Sequence, residues 1–103
     1  MKYEIKNWSE FQQYKDDRPL HWIKLHNSLL DDYEFNQLSE CSQLHLIKLW
    51  LLASKSGGKL EGDKEWFSKL INARKLDVAL LVQGGYLIEI DPYDTVPREE
   101  ESR

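Results

Sequence analysis

The sequence has a single cysteine, Cys41, among its 103 residues, which excludes an internal disulfide and a cysteine-rich zinc module. No apolar run approaches the ~20 residues that a membrane-spanning helix needs. Residues 1–6 alternate in charge and contain no signal-peptide core. We therefore expect a cytoplasmic protein that does not bind a membrane.

An excess of basic residues is also absent, because the net charge at pH 7 is −4. A strongly basic balance would point directly to nucleic acid. The last thirteen residues contain five acidic and two basic side chains, so residues 91–103 contribute −3 and residues 1–90 only −1. We expect residues 1–90 to form one domain and residues 91–103 to form an acidic, flexible tail.

Motifs for catalysis and for cofactor or metal binding are lacking as well. The chain contains neither a Gly-x-Ser-x-Gly nucleophile motif nor a Gly-Lys-Ser/Thr phosphate loop. Cys41 and His45 are four residues apart and share a helix face, but no second pair completes a zinc site. We expect no enzymatic activity, no cofactor and no metal.

The chain is rich in aromatic residues, with four Trp, five Tyr and three Phe, and this argues against disorder. Residues 2–6 alternate between polar and apolar side chains, which predicts a strand. Asn7 and Glu10 have the spacing of a capping box that opens a short helix. A further helix is predicted over residues 26–36.

Ser39 is predicted to cap a helix that is apolar almost all round and therefore buried at the centre of the domain. Only four side chains form a polar stripe on this helix: Cys41, His45, Lys48 and Lys55.

Asp63 and Asp77 are predicted to cap two short helices, over residues 64–72 and 78–83. Four side chains are expected on the apolar face of the first: Trp66, Phe67, Leu70 and Ile71. Residues 86–90 follow as a strand, in which Tyr86 either packs against Trp66 or Trp50 or contacts DNA. This order predicts a mostly helical α+β fold, a winged helix-turn-helix with an N-terminal strand–helix extension.

One stretch, Trp22-Ile23-Lys24-Leu25 followed by Leu29-Leu30-Asp31, resembles the N-terminal winged-helix domain of phage and prophage replisome organisers. The similarity continues through the leucine-rich helix to Gly84-Gly85-Tyr86-Leu87 and covers about residues 7–90. The resemblance implies a winged-helix fold and a role in starting DNA replication. It also implies binding to duplex or single-stranded DNA, and contact with replication proteins such as a helicase or its loader.

Residues 64–75 contain four basic side chains and one acidic one, a local charge of +3 around the predicted turn. Cations at that position bind phosphate, and amide or guanidinium groups can read base edges. The candidate DNA-binding residues are Lys64, Lys69, Asn72, Arg74, Lys75 and Gln83.

Two alternatives to DNA binding remain open. Trp8, Phe11 and Tyr14 either pack on the domain's own core or form a protein interface. In the second case the chain would be a winged-helix interaction module that dimerises or docks another replication protein. A third hypothesis is an acidic inhibitor that mimics DNA, which the small size and the net charge of −4 motivate.

Overall fold

The structure is a computed structural model that describes residues 1–12 and 21–90, with the backbone alone at Phe11. It is a small α+β fold and mostly helical, as predicted, and its strands form one antiparallel sheet. Its elements in chain order are β1 (Lys2–Ile5), α1 (Trp8–Phe11), a 3-10 helix (Asn27–Asp31), α2 (Tyr33–Gln37), α3 (Glu40–Ala53), a second 3-10 helix (Ser54–Ser56), β2 (Lys59–Glu61), α4 (Lys64–Ile71), α5 (Val78–Gln83) and β3 (Leu87–Ile90).

The sheet has the order β2-β1-β3, so the N-terminal strand lies in the middle and pairs antiparallel with both neighbours. Tyr3 lies opposite Leu60 on one side and Glu89 on the other. The predicted alternation is confirmed, because Tyr3 and Ile5 are buried while Lys2 is exposed. The segment predicted as an extension of the domain is thus the strand on which the sheet is built.

The core lies between this sheet and helices α3, α4 and α5. Leu46, Leu49 and Ala53 of α3 are fully buried, and the ring of Phe67 on α4 meets the ring of Tyr3 edge-on at a centroid distance of 5.8 Å. The other buried apolar side chains of the described residues are Ile5, Trp8, Phe35, Leu60, Ile71, Leu76, Val78, Leu81 and Leu87. The two C-terminal helices are therefore fixed to the sheet through a shared core.

Three of the predicted helix caps are confirmed. Ser39, Asp63 and Asp77 each accept a hydrogen bond from the backbone N–H three residues later, at 3.1, 2.9 and 3.0 Å. Each bond satisfies one of the N–H groups that the first turn of a helix leaves without a partner. These side chains set where α3, α4 and α5 begin.

Two local predictions are wrong. Asn7 forms no capping box: it has a left-handed backbone (φ 60°) and its side chain makes no capping hydrogen bond. The helix predicted over residues 26–36 is broken at Asp32, whose backbone is extended. The Asp32 carboxylate accepts the N–H of Phe35 at 2.9 Å, so it starts a new helix instead of continuing the previous one.

The predicted distribution of side chains around α3 and α4 is wrong in part. His45 is buried at 8% exposure, although it was expected on a polar stripe. Trp66 and Leu70 of α4 stay half exposed at 51% and 48%, whereas Phe67 and Ile71 are buried. Leu44 and Leu51 of α3 are also about half exposed. A domain of this size has too few elements to cover a helix on every side, so α3 is buried along one face only.

Candidate nucleic-acid interface

The candidate interface is the surface formed by α4, the turn at residues 72–77 and α5. Phe67 and Ile71 bury one side of α4. Leu76, Val78 and Leu81 bury the end of the turn and the inner side of α5. Because these apolar side chains pack into the core, the polar side chains of the same segment lie at the surface.

All six residues predicted for DNA contact are exposed: Lys64, Lys69, Asn72, Arg74, Lys75 and Gln83. Lys69 is in the last turn of α4, and Arg74 and Lys75 follow in the turn, so these three exposed cations lie within seven residues of sequence. Lys64 is at the other end of α4, five residues before Lys69, which is about 7.5 Å along the helix axis at 1.5 Å per residue. Gln83 ends α5 and lies away from the turn in sequence.

Asn72 has a backbone role that its residue type explains. It ends α4 in a left-handed conformation with φ 58°, and the N–H groups of Asn72 and Ala73 bond to carbonyls of the last helical turn. Asparagine tolerates this conformation better than most residues do. Its position therefore fixes where the chain leaves α4 before Arg74 and Lys75.

Lys48 is a cation that the sequence analysis did not assign to this surface. Its Nζ donates a hydrogen bond to the backbone carbonyl of Ile71 at 3.1 Å, across 23 residues of sequence. A cation is stabilised at that point, because the C-terminal end of α4 is the negative end of the helix dipole. In the sequence, Lys48 stands out only as a polar residue among apolar neighbours. That pattern predicts a polar stripe on α3 but does not show that the stripe faces the end of α4.

The helix α5 offers few groups that can read a base. Ala79, Leu80 and Gln83 are its exposed side chains, and of these only Gln83 can make a hydrogen bond to a base edge. Asp77 at its start is engaged as the cap. The cations of the turn can bind phosphate groups, which position a protein on DNA without reading the sequence.

The electrostatic balance of the interface is positive although the whole chain is acidic. Residues 64–83 hold four basic and two acidic side chains, and Lys48 adds a fifth positive charge beside the end of α4. His45, one turn before Lys48, has a pKa below the ordinary value of 6.5, first because of burial and second because of the Lys48 charge. His45 therefore adds no positive charge to the surface at neutral pH.

No protein-family model, curated protein or solved structure matches this chain. The case for this interface consequently rests on the exposure, charge and placement of the residues described above.

Of the three aromatic side chains predicted as a protein interface, the structure describes only that of Trp8. Trp8 is buried at 8% exposure and belongs to the core, so little of its ring is available to a partner. The side chain of Phe11, the whole of Tyr14 and the predicted tail at residues 91–103 lie outside the described residues.

Within residues 1–12 and 21–90, no helix has the length and apolar character that crossing a bilayer requires. The same part of the chain holds no group of three or more His, Cys, Asp or Glu side chains that would suit a metal ion. Cys41 is exposed while His45 is buried, so the two do not present a common ligand face.

Proposed function

We propose that this protein binds duplex DNA through the surface of α4, the turn at residues 72–77 and α5, and acts in phage-type replication initiation. The observation that carries the proposal is the exposed cluster of Lys69, Arg74 and Lys75, with Lys48 beside it. Binding is directed at the phosphate backbone, because counterion release needs cations and no particular base.

A winged-helix arrangement is part of this proposal. The order α3, β2, α4, α5, β3 supports it, since a helix pair joined by a turn is followed by a strand. One difference is that the strand in the middle of the sheet, β1, comes from the N-terminus. The replication role is drawn only from the resemblance over about residues 7–90, in which Trp22-Ile23-Lys24-Leu25 is the most specific element.

Fluorescence anisotropy with labelled duplex DNA of mixed sequence, measured over a series of salt concentrations, tests the interface. The triple variant Lys69→Ala/Arg74→Ala/Lys75→Ala should bind more weakly at every salt concentration. The slope of log K against log salt should fall by up to about 2.7, because each lost phosphate contact is worth about 0.9. Substituting Gln83 alone should alter sequence preference and leave the salt slope unchanged.

A matched control removes the same charge elsewhere on the chain. Lys2→Ala/Lys55→Ala/Lys59→Ala changes three exposed lysines that lie outside the interface. If this control lowers the salt slope as much as the interface triple does, binding follows overall charge and the proposed face is wrong. No binding by the unmodified chain at low salt would remove the DNA function altogether.

A second candidate function is a protein-interaction module without direct DNA binding, favoured by the exposed apolar side chains beside the cations. Trp66 and Leu70 are one helical turn apart on α4, are about half exposed, and share one face. Tryptophan is among the residues that most often anchor a protein interface. Light scattering over a concentration series should then show a dimer that Trp66→Lys disrupts and Tyr33→Lys, a change at an exposed aromatic of α2, does not.

A further inference from the structure

A cavity of about 230 Å³ lies on a part of the molecule that the DNA interface does not use. This partly open cavity is lined by the link from β1 to α1, by Gln12, by the segment at residues 24–34, by Trp50 of α3, and by Gly84-Gly85-Tyr86. This volume exceeds the roughly 150 Å³ of an engineered cavity that takes up benzene. The space is therefore sufficient for one heteroaromatic ring.

Three aromatic side chains contribute to the wall: Trp8, Trp50 and Tyr86. Trp8 is held in place because its ring packs directly on Gly58, where a Cβ atom would come within 2.4 Å of the Trp8 Cγ. Aromatic faces of this kind are the surfaces on which bases stack in single-strand-binding proteins.

Hydrogen bonds fix the stretches that form the wall. The Gln12 side chain bonds the backbone of Lys24 twice, donating to its carbonyl at 3.2 Å and accepting its N–H at 2.8 Å. The backbone N–H of Lys6 donates to the carbonyl of Tyr86 at 3.2 Å. The cavity is thus bounded by backbone that is tied together before any ligand arrives, which lowers the cost of binding.

The charged groups at the cavity balance each other. Lys6 and Lys24 contribute two positive charges, and Asp32 and Glu34 contribute two negative ones. The lining therefore offers cationic donors for a phosphate and carboxylate acceptors for the N–H groups of a base. Tyr86 also lines the cavity, while its hydroxyl is buried and has no hydrogen-bond partner within the described part of the chain.

We propose that this cavity binds one nucleobase, stacked against the half-buried rings of Trp50 and Tyr86, with the attached phosphate near Lys6 and Lys24. Size, aromatic faces and balanced polar groups together match a planar, uncharged ring with polar edges. The base can come from a free nucleotide or from an unpaired position of single-stranded DNA. None of the lining residues belongs to the duplex-binding surface at residues 64–83.

The four tryptophans provide an internal readout of binding to the full chain. Trp8 and Trp50 line the cavity, whereas Trp66 lies on α4 and is 51% exposed. Titration with adenosine, thymidine and their 5′-monophosphates should shift the indole N–H resonances of Trp8 and Trp50 in a saturable way. The Trp66 resonance should stay in place. The aromatic compound p-cresol, which has one hydroxyl in place of the several donors and acceptors of a base, should cause weaker shifts.

Two variants test the walls and the rim. Trp50→Leu removes one stacking face and should weaken nucleoside binding roughly tenfold. Lys24→Glu changes an exposed rim side chain, so folding is preserved, and it should abolish the preference for the monophosphate over the nucleoside. Lys55→Glu makes the same charge change at an exposed position outside the cavity and should leave that preference intact.

The source of the base is decided by comparing a short single-stranded oligonucleotide with the monophosphates. Tighter binding of the oligonucleotide at the same two resonances assigns the site to single-stranded DNA, and equal binding assigns it to free nucleotides. The proposal is overturned if Trp8 and Trp50 do not shift, if p-cresol shifts them as strongly as the nucleosides, or if neither variant changes binding. The interface triple Lys69→Ala/Arg74→Ala/Lys75→Ala should retain nucleoside binding, so failure of one proposal is distinguishable from failure of the other.

Discussion

Replacing Tyr86 with phenylalanine should make this protein more stable. Tyr86 is half buried, and its hydroxyl is closed off from solvent without a hydrogen-bond partner among residues 1–12 and 21–90. In the unfolded chain the same hydroxyl bonds to water. Folding therefore loses those bonds without replacing them, and the substitution removes this penalty.

The magnitude follows from the cost of burying a polar group that stays unpaired, about 1–3 kcal/mol in protein mutational data. Removing the oxygen also gives up its packing contacts, which offsets part of the gain. We expect the free energy of unfolding to rise by about 1 kcal/mol. For a domain of this length, such a gain raises Tm by roughly 4–8 °C.

The pH dependence gives a second measure of the same environment. Burial raises the pKa of Tyr86 above the ordinary value of 10.0, and the nearby Asp32 and Glu34 carboxylates raise it further. The folded state holds this proton more tightly than the unfolded state does, so stability is fully present below pH 10 and is lost as the pH rises through the folded pKa. The phenylalanine variant should lose less stability over that alkaline range. Tyr3, whose pKa is also raised, continues to contribute in both proteins.

Urea unfolding followed by tryptophan fluorescence, at neutral and alkaline pH, measures both effects. Tyr33→Phe is the matched control, because Tyr33 is 75% exposed and its hydroxyl can bond to water in either state. This control should change stability by no more than about 0.5 kcal/mol. A Tyr86→Phe variant that is less stable than the parent at neutral pH would refute the reasoning, since it would mean that the hydroxyl makes a stabilising bond.

Three further outcomes are expected. Burial lowers the pKa of His45, so the folded protein resists protonation of this side chain and its stability should fall as the pH drops below 6.5. His45→Gln should reduce that fall, measured as the difference between the urea midpoints at pH 7.5 and 5.5. Lys48→Met should raise the pKa of His45 in an NMR titration, but not to 6.5, because burial is the larger cause of the shift. The same change should lower the free energy of unfolding by about 1 kcal/mol, because the hydrogen bond at the end of α4 is lost. An unchanged His45 pKa would contradict the contribution of Lys48. Gly58→Ala places a Cβ within 2.4 Å of Trp8 at φ 92° and should lower the free energy of unfolding by more than about 2 kcal/mol. Gly85→Ala is the comparison: at φ 83° its nearest atom is 3.8 Å away, so the loss in the same unfolding assay should be about 1 kcal/mol. Equal losses would show that the Trp8 contact is unimportant.

The sequence by itself determined the features that depend on neighbouring residues. Ser39, Asp63 and Asp77 start their helices because a short polar side chain bonds the N–H three residues later, and that spacing is visible in the chain. The alternation around Tyr3 predicted the strand for the same local reason. The exposure of Arg74 and Lys75 also follows from local information, since two adjacent charges between helices rarely find buried partners.

Local rules failed where one polar side chain had two possible roles. Asp32 ends one helical stretch by capping the next, so a continuous apolar spacing did not produce a continuous helix. His45 looked like part of a polar stripe, yet it is buried, because the packing of α3 and not the residue type decides which face is covered.

Only the tertiary structure decided what lies beside what. It placed β1 between β2 and β3, brought Lys48 to the carbonyl of Ile71, and left Trp66 exposed. It also closed the cavity between segments that are far apart in sequence. These arrangements depend on contacts between residues far apart in sequence. Each contact stabilises the fold only when the rest of the core holds its two partners in place. Periodicity in one chain reports which residues share a face, whereas packing of the whole domain determines what that face meets.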